Sequence, residues 1–246
     1  AAEGLSTYWY QLTSAFGGNV LSQDFKPLFT TPDSPGYKAM KWMVDAYQSG
    51  LVPKGNINTT DSEEMQSEMA NNDISTIFSD YSGNIGTIYN VKGASKVIGQ
   101  VEYIPTPGAT GPAPNRGNPD GMGIPTGAKY VGAGVEFLKW FTSSEIQGDI
   151  AGANGPSLAF IQWPLPMRLS AMKALFADDQ QNQSKAMYNL FKEHSEAVFP
   201  EGAPPWYGQF SNAVYTNLHS AALGQVTVDQ AIKNIADTVN KLNSQG

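Results

Sequence analysis

The chain has no cysteine, and that absence removes disulfides, zinc–thiolate sites and thiol nucleophiles together. Charge is sparse as well. Asp, Glu, Lys and Arg make up 15% of the 246 residues, and the net charge is −7 with the basic side chains scattered. Thin, dispersed positive charge gives no electrostatic footprint for nucleic acid or for an anionic membrane surface, so neither is expected as a partner. Histidine occurs only at His194 and His219, on separate expected helices with no carboxylate cluster at ligand spacing. Both read as solvent-facing helix residues; no metal site and no cofactor is expected. The sequence lacks a GxxxxGK[ST] phosphate loop, lacks a GxGxxG opening a helix after a strand, and lacks a GxSxG nucleophile turn. No apolar run approaches the length of a transmembrane helix, and the opening AAEGLSTYWY is not a signal peptide. Nothing before Leu5 reads as a first strand or a basic segment, so the sequence is expected to start inside a longer chain.

What is present suits a folded protein of one large domain or two small ones, with 41% hydrophobic and 11% aromatic residues. Residues 5–16 read as a helix carrying Tyr8, Trp9 and Tyr10, ended by Gly17-Gly18-Asn19. Ser34-Pro35 starts a second helix whose apolar stripe is Tyr37, Met40, Met43, Val44 and Tyr47, and Gly50 stops it. A short helix follows Thr60 or Asp61, with Met65 and Met69 on its buried side. Strands are expected at 74–78 and 97–104, with a short helix at 84–90 between them and a Pro/Gly/Ala-rich loop over 105–117. Further helices are expected at 128–142, 144–153, 168–176, 181–196 and 206–222. The last begins at Thr227, where Thr227-Val228-Asp229-Gln230 has capping-box spacing, and carries the stripe Ala231, Ile232, Ile235, Ala236, Val239, Leu242. The pattern is α/β with too few strands for its amphipathic helices.

Two features carry a functional signal. Gly117-Asn118-Pro119-Asp120-Gly121-Met122-Gly123-Ile124-Pro125 exposes backbone to close approach by a ligand, although a plain strand-to-helix connection is the commoner use of such a loop. Tyr8, Trp9, Tyr10, Tyr81, Trp163, Trp206 and Tyr207 fall at element ends or in loops beside Gly, Pro, Ser or Asn. Rings so placed suit a sugar, whose C–H faces stack while its hydroxyls hydrogen-bond. Trp42 and Trp140 lie on helix stripes and read as core or helix surface. Asp80, Glu102 and Asp120 are the acids near expected strand ends, and a carboxylate pair assembled in space would suit a carbohydrate-active hydrolase. Asp80 reads more readily as a helix N-cap. Arg116 and Arg168 are the only arginines, and so few guanidinium forks argue mildly against a phosphorylated ligand.

Ordered blocks then give a resemblance. They are the aromatics followed by Phe16-Gly17-Gly18-Asn19, the helix ending Tyr47-Gln48-Ser49-Gly50-Leu51-Val52-Pro53, Met65 to Thr76, Val101-Glu102-Tyr103-Ile104-Pro105-Thr106-Pro107, Gly121 to Ala128, Ala133 to Gln147, and Gly224 to Ala231. In this order and spacing, nearly the whole chain from Tyr10 resembles the later portion of the bacterial extracellular solute-binding proteins of ABC importers, in the maltose-binding-like carbohydrate family. The resemblance implies an α/β, periplasmic-binding-protein-like (type II) two-lobe fold that is incomplete here. Residues 1–117 and 160–246 would form the second lobe, and 121–158 would return to the first lobe. That lobe's main sheet would lie in a preceding segment that has been lost or on a separate chain. Helices 128–142 and 144–153 would then expose an apolar face. It further implies a non-enzymatic receptor, periplasmic or extracellular and lipid-anchored in some precursors, that closes on a sugar or oligosaccharide and hands it to the permease. A hydrolase, or a receptor for a polyol or glycerophosphodiester, is the alternative. The ligand-lining positions implied are Tyr8 and Tyr10, Asp80 and Tyr81, Asn118, Asp120 and Gly121, Trp163, and Trp206. Where many relatives carry Trp after the central strand, this chain has Asp80-Tyr81-Ser82, which makes Tyr81 the stacking residue there.

Overall fold

A computed structural model of the chain describes residues 2–59, 62–78, 80, 84–117, 122–150, 168–173, 184–199 and 202–245. Contacts divide it into two compact units: Ala1–Gln66 with Pro105–Gly117 and Glu196–Gly246, and Ser67–Ile104 with Asn118–Ser195.

In the first of these units the helix α1 (Ala2–Ala15) is wrapped by others. Every residue from Trp9 to Ala15 is buried, so this stretch of the helix is enclosed on all faces. Several of its buried polar groups are paired on the chain. Ser6 Oγ donates to the Ser211 carbonyl at 3.0 Å, Thr13 Oγ1 to the Trp9 carbonyl at 2.7 Å, Gln11 Nε2 to the Pro114 carbonyl at 2.9 Å, and Trp9 Nε1 to the Gly36 carbonyl at 2.7 Å. Gly17 (φ +88) ends the helix, and the Gly18 N–H reaches back to the Thr13 carbonyl at 3.2 Å, which satisfies an otherwise orphaned C=O.

The helix α2 (Pro35–Ser49) starts with Pro in its first turn and stops at Gly50 (φ +83), as the sequence indicated. Ser34 does not cap it, because its hydroxyl donates instead to the Thr31 carbonyl at 2.6 Å. Gly36 is where α2 meets the core. A Cβ there would sit 2.5 Å from Phe29 Cβ and 3.4 Å from the Trp9 ring. Between α1 and α2, Leu21 and Pro27 form an antiparallel bridge that closes a tight turn, with Phe25 at φ +57. The left-handed region costs an L-residue about 1–2 kcal/mol.

After the short helix α3 (Ser62–Ala70) come β1 (Pro107–Gly108) and β2 (Gly111–Pro112), an antiparallel pair, and β3 (Asn115–Gly117), which pairs with β4 (Ser195–Ala197). In the second unit lie α4 (Val131–Phe141), α5 (Ser144–Ile150), α6 (Leu169–Met172) and α7 (Ser184–His194). The first unit is completed by α8 (Tyr207–Ala222) and α9 (Val228–Asn243). On α8, Phe210, Val214, Leu218 and Ala221 are buried. On α9 the stripe Ala231, Ile232, Ile235, Ala236, Val239 is buried as its spacing dictates, and Thr227 Oγ1 accepts from Gln230 N–H at 3.1 Å.

The expected strands 74–78 and 97–104 are corrected. Neither forms a ladder among the described residues. Gly99 (φ +72) turns the chain, with Gln100 N–H on the Val97 carbonyl at 3.0 Å, so the second run is broken inside its expected span. Ile74, Ile77, Val101 and Tyr103 instead pack as irregular backbone against Met69, Ala70, Ile85, Tyr89 and Val97. The expected helix 84–90 is a π-helical turn at Ile85–Tyr89. Among the described residues no residue of α4 is buried: Tyr130, beside it, and Val131, Phe137 and Trp140 are half or more exposed.

Candidate ligand site

In the first unit the aromatic side chains foreseen from sequence are gathered by α1 and the start of α8. Tyr10 stacks on Phe210 (ring centroids 5.9 Å apart, 17° between planes) and meets Phe199 edge-on at 5.6 Å. Phe199 in turn meets Tyr207 edge-on at 5.7 Å. Trp206 lies edge-on to Phe210 at 6.2 Å and to Phe25 at 5.9 Å. Offset-stacked and edge-on rings at these separations are the favourable aromatic geometries, each worth about 0.5–1.5 kcal/mol beyond burial. Tyr10 and Trp206, foreseen as separate contacts, therefore belong to one cluster joined through Phe210. Both are well buried, at 3% and 8% exposure.

The cluster holds one polar anomaly. Among the described residues the Tyr10 hydroxyl, buried as it is, has no hydrogen-bond partner. Burial pushes its pKa well above the ordinary tyrosine range. Tyr207 pushes it further, while the hydroxyls of Ser6 and Ser211 pull it back, so all three are its polar neighbours without bonding it. Ser211 Oγ donates to Ser6 Oγ at 3.1 Å, and Tyr207 Oη donates to Glu3 Oε1 at 2.9 Å. Burial and then the Glu3 carboxylate raise the Tyr207 pKa as well. The result is a cluster of hydroxyls packed among aromatic rings, with Ser6, Tyr10 and Ser211 all buried and the Tyr207–Glu3 bond at its exposed edge.

Ser6, Phe199, Phe210 and Ser211 were not among the expected lining residues. Phe210 and Ser211 lie one helical turn beyond Trp206, and Ser6 one turn before Tyr10, so helical spacing from the named aromatics was the available signal. Tyr8, half-buried, donates its hydroxyl to Met65 Sδ at 3.8 Å in the same unit. Asp80 is in the other unit. Its Oδ1 accepts from Asn84 Nδ2 at 2.7 Å and its Oδ2 from Tyr89 Oη at 2.5 Å. Burial first, and then the bond to Asp80, raise the Tyr89 pKa. Asp80 thus clasps both ends of the π-helical turn through side chains. The remaining expected positions, Tyr81, Asn118, Asp120, Gly121 and Trp163, lie outside the described residues. Among the described residues no group of His, Cys, Asp or Glu is arranged to hold a metal ion.

Residues 1–148 match the family described as bacterial extracellular solute-binding protein. The chain belongs to that family. Solved structures of similar fold include maltose-bound MalE3 of T. maritima, at TM-score 0.73 and 21% identity over 98% of this chain and 58% of that one. A solute-binding protein of an ABC transporter from Agrobacterium radiobacter K84, in complex with ribitol, aligns at TM-score 0.75 and 18% identity over 97% and 56%. One from Agrobacterium vitis S4 with bound D-mannitol aligns at 0.63 and 19% over 97% and 58%. No curated protein matches. At these identities the structures establish the fold: the chain adopts part of the type II periplasmic-binding-protein fold and spans somewhat under three fifths of each of these relatives.

Proposed function

We propose that this family member acts as the receptor of an ABC importer, outside the cytoplasmic membrane, and that its solute is a neutral polyhydroxylated molecule, a sugar or a polyol. The observation that carries the reading is the match of residues 1–148 to the bacterial extracellular solute-binding family; the buried, unpartnered Tyr10 hydroxyl, with Phe199, Tyr207 and Phe210 around it and Ser6 and Ser211 beside it, is the polar group proposed to meet the solute. Maltose, ribitol and D-mannitol in similar folds support the same class of ligand. Tyr8, Asp80, Tyr81, Asn118, Asp120, Gly121, Trp163 and Trp206 complete the proposed lining, with 1–117 and 160–246 as the second lobe and 121–158 as the return to the first. Solute would be enclosed by hinge closure of the lobes and passed to the permease.

The protein is proposed to bind without turnover. A hydrolase needs a free carboxylate pair, and both oxygens of Asp80 already accept hydrogen bonds from Asn84 and Tyr89. An anionic solute is also less favoured, because Arg168 donates its Nε to the Thr142 carbonyl. A thermal-shift screen of the full-length protein tests the reading. Neutral sugars and polyols should raise the midpoint, and glycerophosphodiesters should not; the reverse result would reject it.

A further inference from the structure

We infer that Phe25 is a positioning residue for the Tyr10 cluster, holding the Trp206 indole, and through it the Phe210 and Tyr10 rings, from a strained turn. Phe25 sits at φ +57, a conformation that Gly or Asn adopts readily and that a bulky aromatic residue rarely does. The turn is held from several sides. Ser22 N–H donates to the Lys26 carbonyl and Phe25 N–H to the Ser22 carbonyl, both at 2.9 Å. Lys26 N–H donates to Ser22 Oγ at 2.9 Å, and Ser22 Oγ to Asp24 Oδ1 at 2.5 Å. From the far end of α9, Asn243 Nδ2 donates to the Asp24 carbonyl at 3.1 Å. None of these bonds uses the Phe25 side chain. Glycine would satisfy them all and remove the strain.

The side chain has its use elsewhere. Its ring meets Trp206 edge-on (5.9 Å, 76°), Trp206 meets Phe210 edge-on (6.2 Å, 84°), and Phe210 stacks on Tyr10 (5.9 Å, 17°). Three successive ring contacts thus run from the strained turn to the ring that bears the unpartnered hydroxyl. Strain kept where a smaller residue would relieve it, and aimed at a candidate site, points to a role in that site. The ligand half of this inference rests on the solute-binding reading above; the positioning half does not.

The test uses full-length Phe25→Gly and Phe25→Asn, which delete the ring while suiting the backbone, and Phe25→Tyr, which restores it. Near-ultraviolet circular dichroism and tryptophan emission are read without ligand, and again in a Trp206→Phe background. The Gly and Asn variants should stay folded, weaken the near-ultraviolet signal and shift emission to the red. Both changes should vanish in the Trp206→Phe background and be reversed by Tyr. With maltose and D-mannitol as probes, the same two variants should bind about two- to tenfold more weakly than wild type, with Tyr restoring affinity. An unchanged tryptophan signal in Phe25→Gly would overturn the positioning of Trp206. A changed signal with unchanged affinity would overturn its bearing on the ligand. If wild type binds neither probe nor any other neutral sugar, the solute-binding reading fails, and the spectra still decide whether Phe25 positions the indole.

Discussion

Tyr10 is the residue on which structure and function pull in opposite directions. Burying a phenol hydroxyl without a partner costs about 1–3 kcal/mol. Tyr10→Phe should therefore leave the unfolding free energy unchanged or raise it by about 1 kcal/mol, measured by denaturant titration, while weakening solute binding about two- to tenfold. A merely structural tyrosine would lose nothing in binding. The same residue sets an alkaline limit. Its folded-state pKa is raised by burial, so it favours the folded state fully below the unfolded pKa of about 10 and loses that contribution as pH rises beyond it. Unfolding free energy should fall by up to about 1.4 kcal/mol per pH unit above pH 10 through Tyr10, and Tyr10→Phe should flatten that part of the profile. Asp80 behaves differently. Asp80→Asn places an amide against the donors Asn84 and Tyr89, and should destabilise by about 1–3 kcal/mol in thermal or denaturant unfolding.

Among the elements, those with clear local chemistry were legible. Pro35 and Gly50 bounded α2, and Gly17 closed α1. Thr227 opened α9, and the α9 stripe faced the core position by position. Thr227→Ala should cost about 1 kcal/mol, read as a lowered melting midpoint, because it frees the Gln230 N–H at the helix start. Gly36→Ala separates packing from propensity. Helix propensity alone favours Ala by about 1 kcal/mol, but a methyl 2.5 Å from Phe29 Cβ must push α2 off the core, so the variant should be destabilised. The strands at 74–78 and 97–104 were misread for a physical reason. A short apolar run is equally compatible with a strand and with irregular backbone packed on a core, and only a ladder partner decides between them. The Gly99 turn was the available local signal against the second. Single residues of the cluster escaped because Ser6 and Ser211, 205 positions apart, meet only through the packing of α1 on α8.

For the molecule as a whole, the ordered blocks of sequence identified the fold where individual motifs did not, because order and spacing survive when each block has drifted. The ring-bearing face of α4 is exposed among the described residues, whose strands form only two-stranded pairs. What joins residue, element and whole is the cluster at Tyr10, built from α1, α8 and the residues just before α8. Isothermal titration of the full-length protein with maltose, ribitol and D-mannitol, alongside its Tyr10→Phe variant, tests the proposed role of that cluster most directly. Saturable one-to-one binding of at least one of them, weakened in the variant, is the expected result. No saturable heat from any neutral sugar or polyol, or equal affinity in both proteins, would contradict it.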